Sequence, residues 1–484
     1  MENNYFRLLS IELTNIKNVK HGIANFSEEK NFLKGIYKDS LKSGILGIYG
    51  PNGSGKTAII DSILFLRLYL LDADSLKSRN INLKKITAEF LNNSSDNGSI
   101  VYNFSYKRND DIFLIIYEIN IRKDEKNVFV SNEKLAFRQY NEQNKYHKWQ
   151  KYGTAFNIDY QNTKINETLN SVAIENKTYK KILTDLFVIK QLAFNYGNST
   201  ILNESFISHI HQNNLDNKII PNNDFVMISS LKNYIDNNFY VFTQDDYSAV
   251  MNGVLPVSFA KRSNDGTQMS GGFDVAYLFS TNSIDQEEYD SLNDSIEIIN
   301  TIMPNFIKDF CIRMNLISIS TGENNEKIYT VDFSSILNGN SVPLRNESDG
   351  IKKLISLIGF LSAVFNNNGV FLAVDELDSG IFEYLLGQLL EVISDYGKGQ
   401  LLFTSHNLRC LEVLDQKNIL FTTTNPSDRY VHFSPLKKSN NFRDKYIRAI
   451  QLGGQKEEMY NETDENNIAV SFMKCGANNS ANKQ

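Results

Sequence analysis

The chain has 484 residues, of which 41% are hydrophobic and 22% charged, and its formal net charge is −6. This composition is typical of a globular protein of two or three domains, and the acidic balance gives no overall attraction to DNA, although a local basic groove could still bind it. The cysteines Cys311, Cys410 and Cys475 lack the spacing of metal ligands. The chain does not begin with the pattern of a signal peptide. Its most apolar stretch, residues 59–71, is too short to span a bilayer. We therefore expect a cytoplasmic protein with no membrane partner and exclude a transporter subunit with fused membrane spans.

Strand-like and helical patterns alternate in the first part of the chain. Polar residues separate Leu9, Ile11 and Leu13, which predicts a half-buried strand. A second strand is predicted at residues 44–49, followed by a helix to about Leu71. Three β-rich runs then predict an antiparallel subdomain, at residues 99–106, 112–121 and 128–130.

A phosphate-binding loop lies between the second strand and the helix. Residues 50–57 read Gly-Pro-Asn-Gly-Ser-Gly-Lys-Thr, the P-loop pattern in its required strand–loop–helix context. Its glycines let backbone N–H groups surround a polyphosphate, Lys56 reaches the β and γ phosphates, and the Thr57 hydroxyl can hold Mg²⁺. The sequence thus predicts ATP and Mg²⁺ binding. The predicted binding residues are Asn52, Gly53, Ser54, Gly55, Lys56, Thr57 and Ala58.

The middle of the chain, residues 141–314, is irregular, and we expect a mostly helical inserted lobe. Its clearest predicted helices are residues 179–193 and 286–310. Residues 145–152 mix cations with aromatics, which fits either a nucleic-acid grip or, as we favour, a lysine-protected strand edge. Residues 270–272 predict a turn before a helix at 273–279.

Two apolar runs near the end of the chain carry the remaining candidate residues. Residues 369–374 predict a buried strand that ends in Asp375 and Glu376, suited to holding Mg²⁺ and to activating water respectively. Thirty residues after Glu376, His406 follows a second such strand. A lone histidine is more often structural, but its position at a strand end relative to the P-loop favours contact with the γ-phosphate.

These segments together resemble the ATP-binding-cassette (ABC) ATPases, specifically the non-transporter branch that includes SMC, RecF and OLD-type proteins. The resemblance implies an α/β ABC-type P-loop NTPase core with an antiparallel β subdomain. It implies catalytic roles for Lys56, Glu376 and His406, with His406 as the switch histidine, and Mg²⁺ ligation by Thr57 and Asp375. Asp378 would lie in a loop that contacts the opposite subunit. The glutamine loop of the family has no assigned residue.

The family also requires a signature helix, for which three segments compete. Residues 269–273 and 452–455 look most like the transporter consensus, but Gly271 lies 104 residues before Asp375 and Gly454 lies 79 residues after it. Gly350 precedes Asp375 by 25 residues, a distance filled by an apolar helix that can lead into the strand. We therefore assign Ser348 and Gly350 to the signature; an ordinary helix cap is the simpler alternative.

The resemblance implies two chains that sandwich ATP. We divide the sequence into residues 1–140 and 315–440, the two halves of the ATPase domain, the lobe at 141–314, and a C-terminal helix with a flexible tail at 441–484. The Glu-Ser-Asp-Gly signature and the segment 442–455 resemble ATPases of bacterial anti-phage defence, of the AbiL and PARIS types. That resemblance implies a sensor ATPase that controls a TOPRIM/RloB-type effector supplied in trans, with a phage protein or nucleic acid as trigger. The helical portion of residues 442–455 could dock a partner or complete the core.

One alternative remains at this stage, and a second is excluded. A RecF-like DNA repair ATPase would act directly on DNA and would need a basic surface on the assembled dimer, which the acidic composition disfavours. An OLD-type nuclease would need a C-terminal acidic metal-binding domain, for which about fifty residues leave no room.

Overall fold

The computed structural model describes residues 4–26, 43–109, 111–125, 127–140, 153–160, 177–213, 220–251, 254–262, 268–277, 281–322, 325–433, 442–452, 457–460 and 464–481. Its strands are Tyr5–Ile16 (β1), Val19–Asn25 (β2), Gly44–Tyr49 (β3), Asn97–Arg108 (β4), Asp111–Lys123 (β5), Val128–Tyr140 (β6), Gly153–Asp159 (β7), Phe239–Phe242 (β8), Val254–Arg262 (β9), Gln268–Tyr277 (β10), Asn282–Ile284 (β11), Phe310–Thr321 (β12), Lys327–Leu337 (β13), Asn340–Pro343 (β14), Phe371–Val374 (β15), Gln400–Thr404 (β16), Ile419–Thr422 (β17) and Tyr430–Val431 (β18). Its helices are Lys56–Tyr69 (α1), Ala73–Ser78 (α2), Leu83–Phe90 (α3), Lys177–Tyr196 (α4), Glu204–Asn213 (α5), Asn222–Asn238 (α6), Gln244–Met251 (α7), Gln286–Ile302 (α8), Asp349–Asn366 (α9), Glu383–Tyr396 (α10), Cys410–Val413 (α11), Phe442–Leu452 (α12) and Glu465–Ala481 (α13).

A largely parallel sheet with the strand order β18-β17-β3-β16-β15-β8 forms the centre of the fold. Strand β3 pairs in parallel with β16 and β17, and β15 pairs in parallel with β16 and β8. Both β15 and β16 are buried along their whole length, because parallel strands are covered on both faces, and this explains their continuous apolar sequences. The P-loop strand and the strand that precedes Asp375 are therefore separated only by β16.

An antiparallel sheet with the order β2-β1-β4-β5-β6-β7 forms the second layer. The predicted strand around Leu9 is β1, and the three β-rich runs lie in β4, β5 and β6. Helix α1 packs between the two sheets: its Ile63 shares one buried cluster with Ile11 of β1 and Leu402 of β16. The α/β class with an antiparallel subdomain is thus confirmed.

The middle segment contributes more strands than the sequence predicted. Strand β7 completes the antiparallel sheet, and β8 is an edge strand of the parallel sheet, where Val241 lies opposite Ala373. The helix predicted at residues 273–279 is wrong, because residues 268–277 form β10, which pairs with β9. Residues 145–152 lie outside the described part of the chain.

The predicted helix at residues 179–193 is present within α4, whereas the one at 286–310 ends early. Helix α8 stops at Ile302, a short 3₁₀ turn that contains Pro304 follows, and Phe310 already begins β12. Proline lacks the N–H that a continuing helix needs, which accounts for the change. Strand β12 pairs with β13, which also binds β11 and β14.

The C-terminal helices differ in how they pack. Helix α12 buries Tyr446 and Ala449 in the core, and Tyr446 stacks on Phe421 of β17 with ring centroids 4.7 Å apart. Of the two alternatives for this helix, completing the core is the one that the packing supports. Residues 478–481, expected to be part of a flexible tail, belong to α13. Within the described residues, every helix is too short or too polar to cross a lipid bilayer.

A buried polar network ties the antiparallel sheet to the segment after α4. Glu133 of β6 is fully buried and accepts hydrogen bonds from the hydroxyls of Tyr117, Tyr160 and Ser199 and from the N–H of Thr200. Burial raises the pKa of this carboxyl, while these hydrogen bonds oppose the rise. The donors offset part of the cost of burying this carboxyl, which would be costly to leave unpaired.

Candidate functional site

The loop between β3 and α1 is shaped by glycines. Gly50 has φ +156°, and a Cβ at this position would lie 1.7 Å from the hydroxyl oxygen of Thr422. Gly55 has φ 93° and caps α1, whose first residue is Lys56. Any larger residue at these two points would close the loop or strain it. The sequence therefore produces a tight backbone turn directly before a helix N-terminus.

Lys56 lies inside this turn. Its ammonium group donates hydrogen bonds to the carbonyl oxygens of Gly50 at 2.7 Å and Pro51 at 3.0 Å. Burial lowers the pKa of Lys56, while the nearby charges of Asp375 and Glu376 oppose the change. The loop thus holds a cation that faces the acidic pair.

Thr404, the last residue of β16, organises that acidic pair. Its hydroxyl donates a 2.5 Å hydrogen bond to Oδ1 of Asp375 and accepts a 2.7 Å hydrogen bond from the N–H of Glu376. Asp375 is 5% exposed, and burial raises its pKa while the bond from Thr404 opposes the rise. Glu376 has φ 48°, an uncommon conformation for a residue other than glycine. One side chain therefore holds both the carboxylate of Asp375 and the backbone of Glu376.

These groups line a cleft of about 300 Å³, a volume typical of a small-ligand site. The cleft is lined by the predicted residues Asn52, Gly53, Ser54, Gly55, Lys56, Thr57, Ala58, Asp375, Glu376 and His406. The hydroxyl of Thr57 and the carboxylate of Asp375 are the hard oxygen ligands that Mg²⁺ prefers, so these residues fit the ion. The structure brings the predicted P-loop, metal and water-activating candidates to one cavity.

The sequence family described as "AAA domain, putative AbiEii toxin, Type IV TA system" matches residues 45–412 of the chain. The chain belongs to this family. It is a P-loop ATPase, and the matched region runs from β3 to α11 and includes the P-loop, Asp375, Glu376 and His406. No match to the chain is found among the curated proteins.

Three solved structures to which the ATPase is similar are heads of SMC proteins. The SmcHead bound to the C-winged helix domain of ScpA is 12% identical, with 88% of this chain and 98% of that chain covered and a TM-score of 0.42. The Smc head with an extended coiled coil bound to the C-terminal domain of ScpA, from Pyrococcus furiosus, is 12% identical, with coverages of 92% and 99% and a TM-score of 0.39. The SMC head from Thermotoga maritima is 14% identical, with coverages of 89% and 100% and a TM-score of 0.33.

The signature candidates of the ATPase, Ser348 and Gly350, do not line this cleft. Ser348 is exposed and caps α9, where its hydroxyl accepts a hydrogen bond from the N–H of Ile351 at 3.4 Å. Helix α9 then leads into β15, as the spacing predicts. Gly271 lies instead within β10, opposite Phe259, and Gly454 lies outside the described residues.

Asp378 also lies outside the cleft lining. Its Oδ2 accepts a 3.1 Å hydrogen bond from the N–H of His406, so the carboxylate bonds within its own chain. The loop that carries Asp378 contacts the first turn of α9 as well: a Cβ at Gly350 would lie 2.0 Å from the carbonyl oxygen of Gly380. Gly350 therefore has a packing role within one subunit, whatever it contacts in an assembly.

Sequence reasoning missed four residues that line the cleft: Lys17, Asn18, Asp61 and Thr404. Lys17 forms an ion pair with Asp61 of α1, and Asn18 donates to the carbonyl oxygen of Gly53. The available signal was the short Asn-Ile-Lys-Asn turn between β1 and β2, where Lys17 has φ 50°. Nothing in that turn reveals that it folds onto the P-loop.

Proposed function

We propose that this ATPase is an ATP-gated assembly switch, in which two copies enclose ATP between the cleft of one copy and the N-terminus of α9 of the other. The position of Ser348 carries the proposal. It is exposed at the start of an 18-residue helix and does not line the cleft of its own chain. A helix N-terminus attracts anions, so it is suited to the γ-phosphate of a nucleotide held by a second copy.

Within each cleft we assign the hydrolytic roles as follows. Lys56 binds the β and γ phosphates, Glu376 accepts a proton from the attacking water, and His406 contacts the γ-phosphate. Thr57 and Asp375 would hold Mg²⁺, which neutralises charge that develops on the phosphate oxygens. Loss of the γ-phosphate would remove the group shared by the two copies and release them.

We further propose that the switch is the sensor of a bacterial anti-phage, abortive-infection system and controls a TOPRIM/RloB-type effector supplied in trans. The resemblance of the Glu347–Gly350 signature to such ATPases supports this role, and so does the description of the family, which names a toxin of a Type IV TA system. The trigger would be a phage protein or nucleic acid.

The assembly proposal is tested with Glu376→Gln, which should bind ATP, hydrolyse it at least about a hundredfold more slowly, and accumulate as a dimer. Mass measured by light scattering with ATP and with ADP checks this. As a control, Lys56→Ala combined with Glu376→Gln should stay monomeric with either nucleotide. Wild-type turnover by Glu376→Gln, or an unchanged mass with ATP, would overturn the proposal.

The defence role is tested in cells. The ATPase expressed with its neighbouring gene should reduce phage plaque counts, and Lys56→Ala should abolish that protection while the protein level stays equal. Purified ATPase alone should show no nuclease activity. Tight, salt-sensitive DNA binding with ATP-dependent loading would instead support the RecF-like alternative.

A further inference from the structure

Lys353, in the second turn of α9, links the signature helix to the loop after β15. The side chain is 1% exposed. Its ammonium group donates hydrogen bonds to the carbonyl oxygens of Glu376 at 2.6 Å and Ser379 at 3.0 Å. It also lies 4.8 Å from the ring centroid of Tyr247. The buried ammonium group thus forms hydrogen bonds with two backbone carbonyls of one short loop.

That loop carries the candidate water-activating residue. Glu376 has φ 48°, and a backbone in this region persists only where its surroundings hold it. Thr404 binds the N–H of Glu376 and Lys353 binds its carbonyl, so the residue is held on both sides. Removing either contact would let the carboxylate move without altering the P-loop.

We propose that Lys353 is a positioning residue that fixes the Glu376 carboxylate for water activation and couples it to α9. This inference rests on the proposed function. Because Ser348 stands at the start of the same helix, a shift of α9 against the ATP of a second copy is passed through Lys353 to Glu376. Each chain then hydrolyses its own ATP only when its signature helix is engaged.

Lysine suits this position for two reasons. Its ammonium group has three donors, enough for both carbonyls, and it can sit over an aromatic face. Burial lowers the pKa of Lys353 to about 8, while the charges of Asp378, Glu376 and Asp375 favour the charged form. The side chain is therefore largely cationic at neutral pH, which strengthens both hydrogen bonds.

The test compares Lys353→Met with Lys190→Met. Lys190 of α4 is also fully buried and donates to a backbone carbonyl, that of Asp159 at 2.6 Å, but it does not line the cleft. Lys353→Met should lower kcat by about 10- to 100-fold and leave the KM for ATP within about threefold. Lys190→Met should lower Tm but keep kcat within about twofold. If Lys353→Met does not fold, Lys353→Gln should show a smaller loss of kcat with the same KM.

A second readout separates the two proposals. With ATP, Lys353→Met should still dimerise, because neither the P-loop nor Ser348 is changed. If folded Lys353→Met or Lys353→Gln turns over at the wild-type rate while Glu376→Gln dimerises with ATP, only the positioning role is wrong. A KM that rises in step with the fall in kcat/KM, with kcat unchanged, would also overturn it. If Glu376→Gln does not dimerise with ATP, the proposed function fails.

Discussion

The hydroxyl of Thr404 donates a 2.5 Å hydrogen bond to Oδ1 of Asp375. Because the same hydroxyl accepts a hydrogen bond from the N–H of Glu376, one side chain contacts both the metal candidate and the backbone of the water-activating candidate. Thr404→Val keeps the shape and removes both bonds. We expect kcat to fall, and the Mg²⁺ concentration that gives half-maximal activity to rise, each by about 10- to 100-fold, as for other groups that orient a metal ligand.

ATPase rates measured over a Mg²⁺ titration check this expectation. Thr301→Val is the matched control, because its exposed hydroxyl donates to the Glu297 carbonyl within α8. It should leave both quantities unchanged. An unaltered Mg²⁺ dependence in Thr404→Val would show that Asp375 needs no support from Thr404.

Gly350 and the Gly380 carbonyl define a second close contact. A Cβ at Gly350 would lie 2.0 Å from that oxygen, so Gly350→Ala must displace the 376–380 loop or α9. We expect the free energy of unfolding in urea to fall by about 1–3 kcal/mol. Gly153→Ala, where the nearest atom lies 3.9 Å away, should change it by less than about 0.5 kcal/mol. If Gly350→Ala is as stable as Gly153→Ala, the 376–380 loop accommodates the added methyl group at no cost in free energy.

Ser348 allows a cleaner test of assembly than Gly350, because its side chain is exposed and its local role is capping. Ser348→Asp and Ser348→Asn both retain a good N-cap, but only the aspartate adds a negative charge. In the Glu376→Gln background, Ser348→Asp should weaken ATP-driven dimerisation at least about tenfold and Ser348→Asn should not. ATP binding by the monomer should stay unchanged in both. If Ser348→Asp and Ser348→Asn dimerise equally well, the γ-phosphate does not lie next to Ser348.

The P-loop and the acidic pair could be located from sequence because each is a contiguous motif at a strand end. Ser348 could be located from its distance to Asp375 alone, because the predicted helix must lead directly into the strand that precedes Asp375. Lys353 and Thr404 were missed because a helix and a strand bring them to Glu376 only in three dimensions. Strand β8 was missed for the same reason: its partner β15 lies far along the chain, and four residues give too short a pattern.

Glu133 shows a different limit. In the alternating sequence of β6 it resembles a solvent-facing residue, yet it is fully buried beneath Tyr117 and Tyr160. A single polar residue at an inward position carries no sequence signal of its own. Its partners come from three separate segments of the chain, so only the folded structure identifies the network.

The buried charge of Lys353 makes stability depend on pH in a defined window. The folded pKa is about 8 against an ordinary value of 10.5, so between these values the unfolded chain binds more protons than the folded one. Stability therefore rises with pH in this window, and below pH 8 the cost of burying the charge is fully present. Relative to Lys353→Met, the wild type should gain about 2 kcal/mol between pH 7.5 and 9.5. Urea unfolding of both proteins at the two pH values measures this difference, in which the titration of all other groups cancels. A constant difference would mean that Lys353 titrates alike in both states and that its ammonium group is not desolvated.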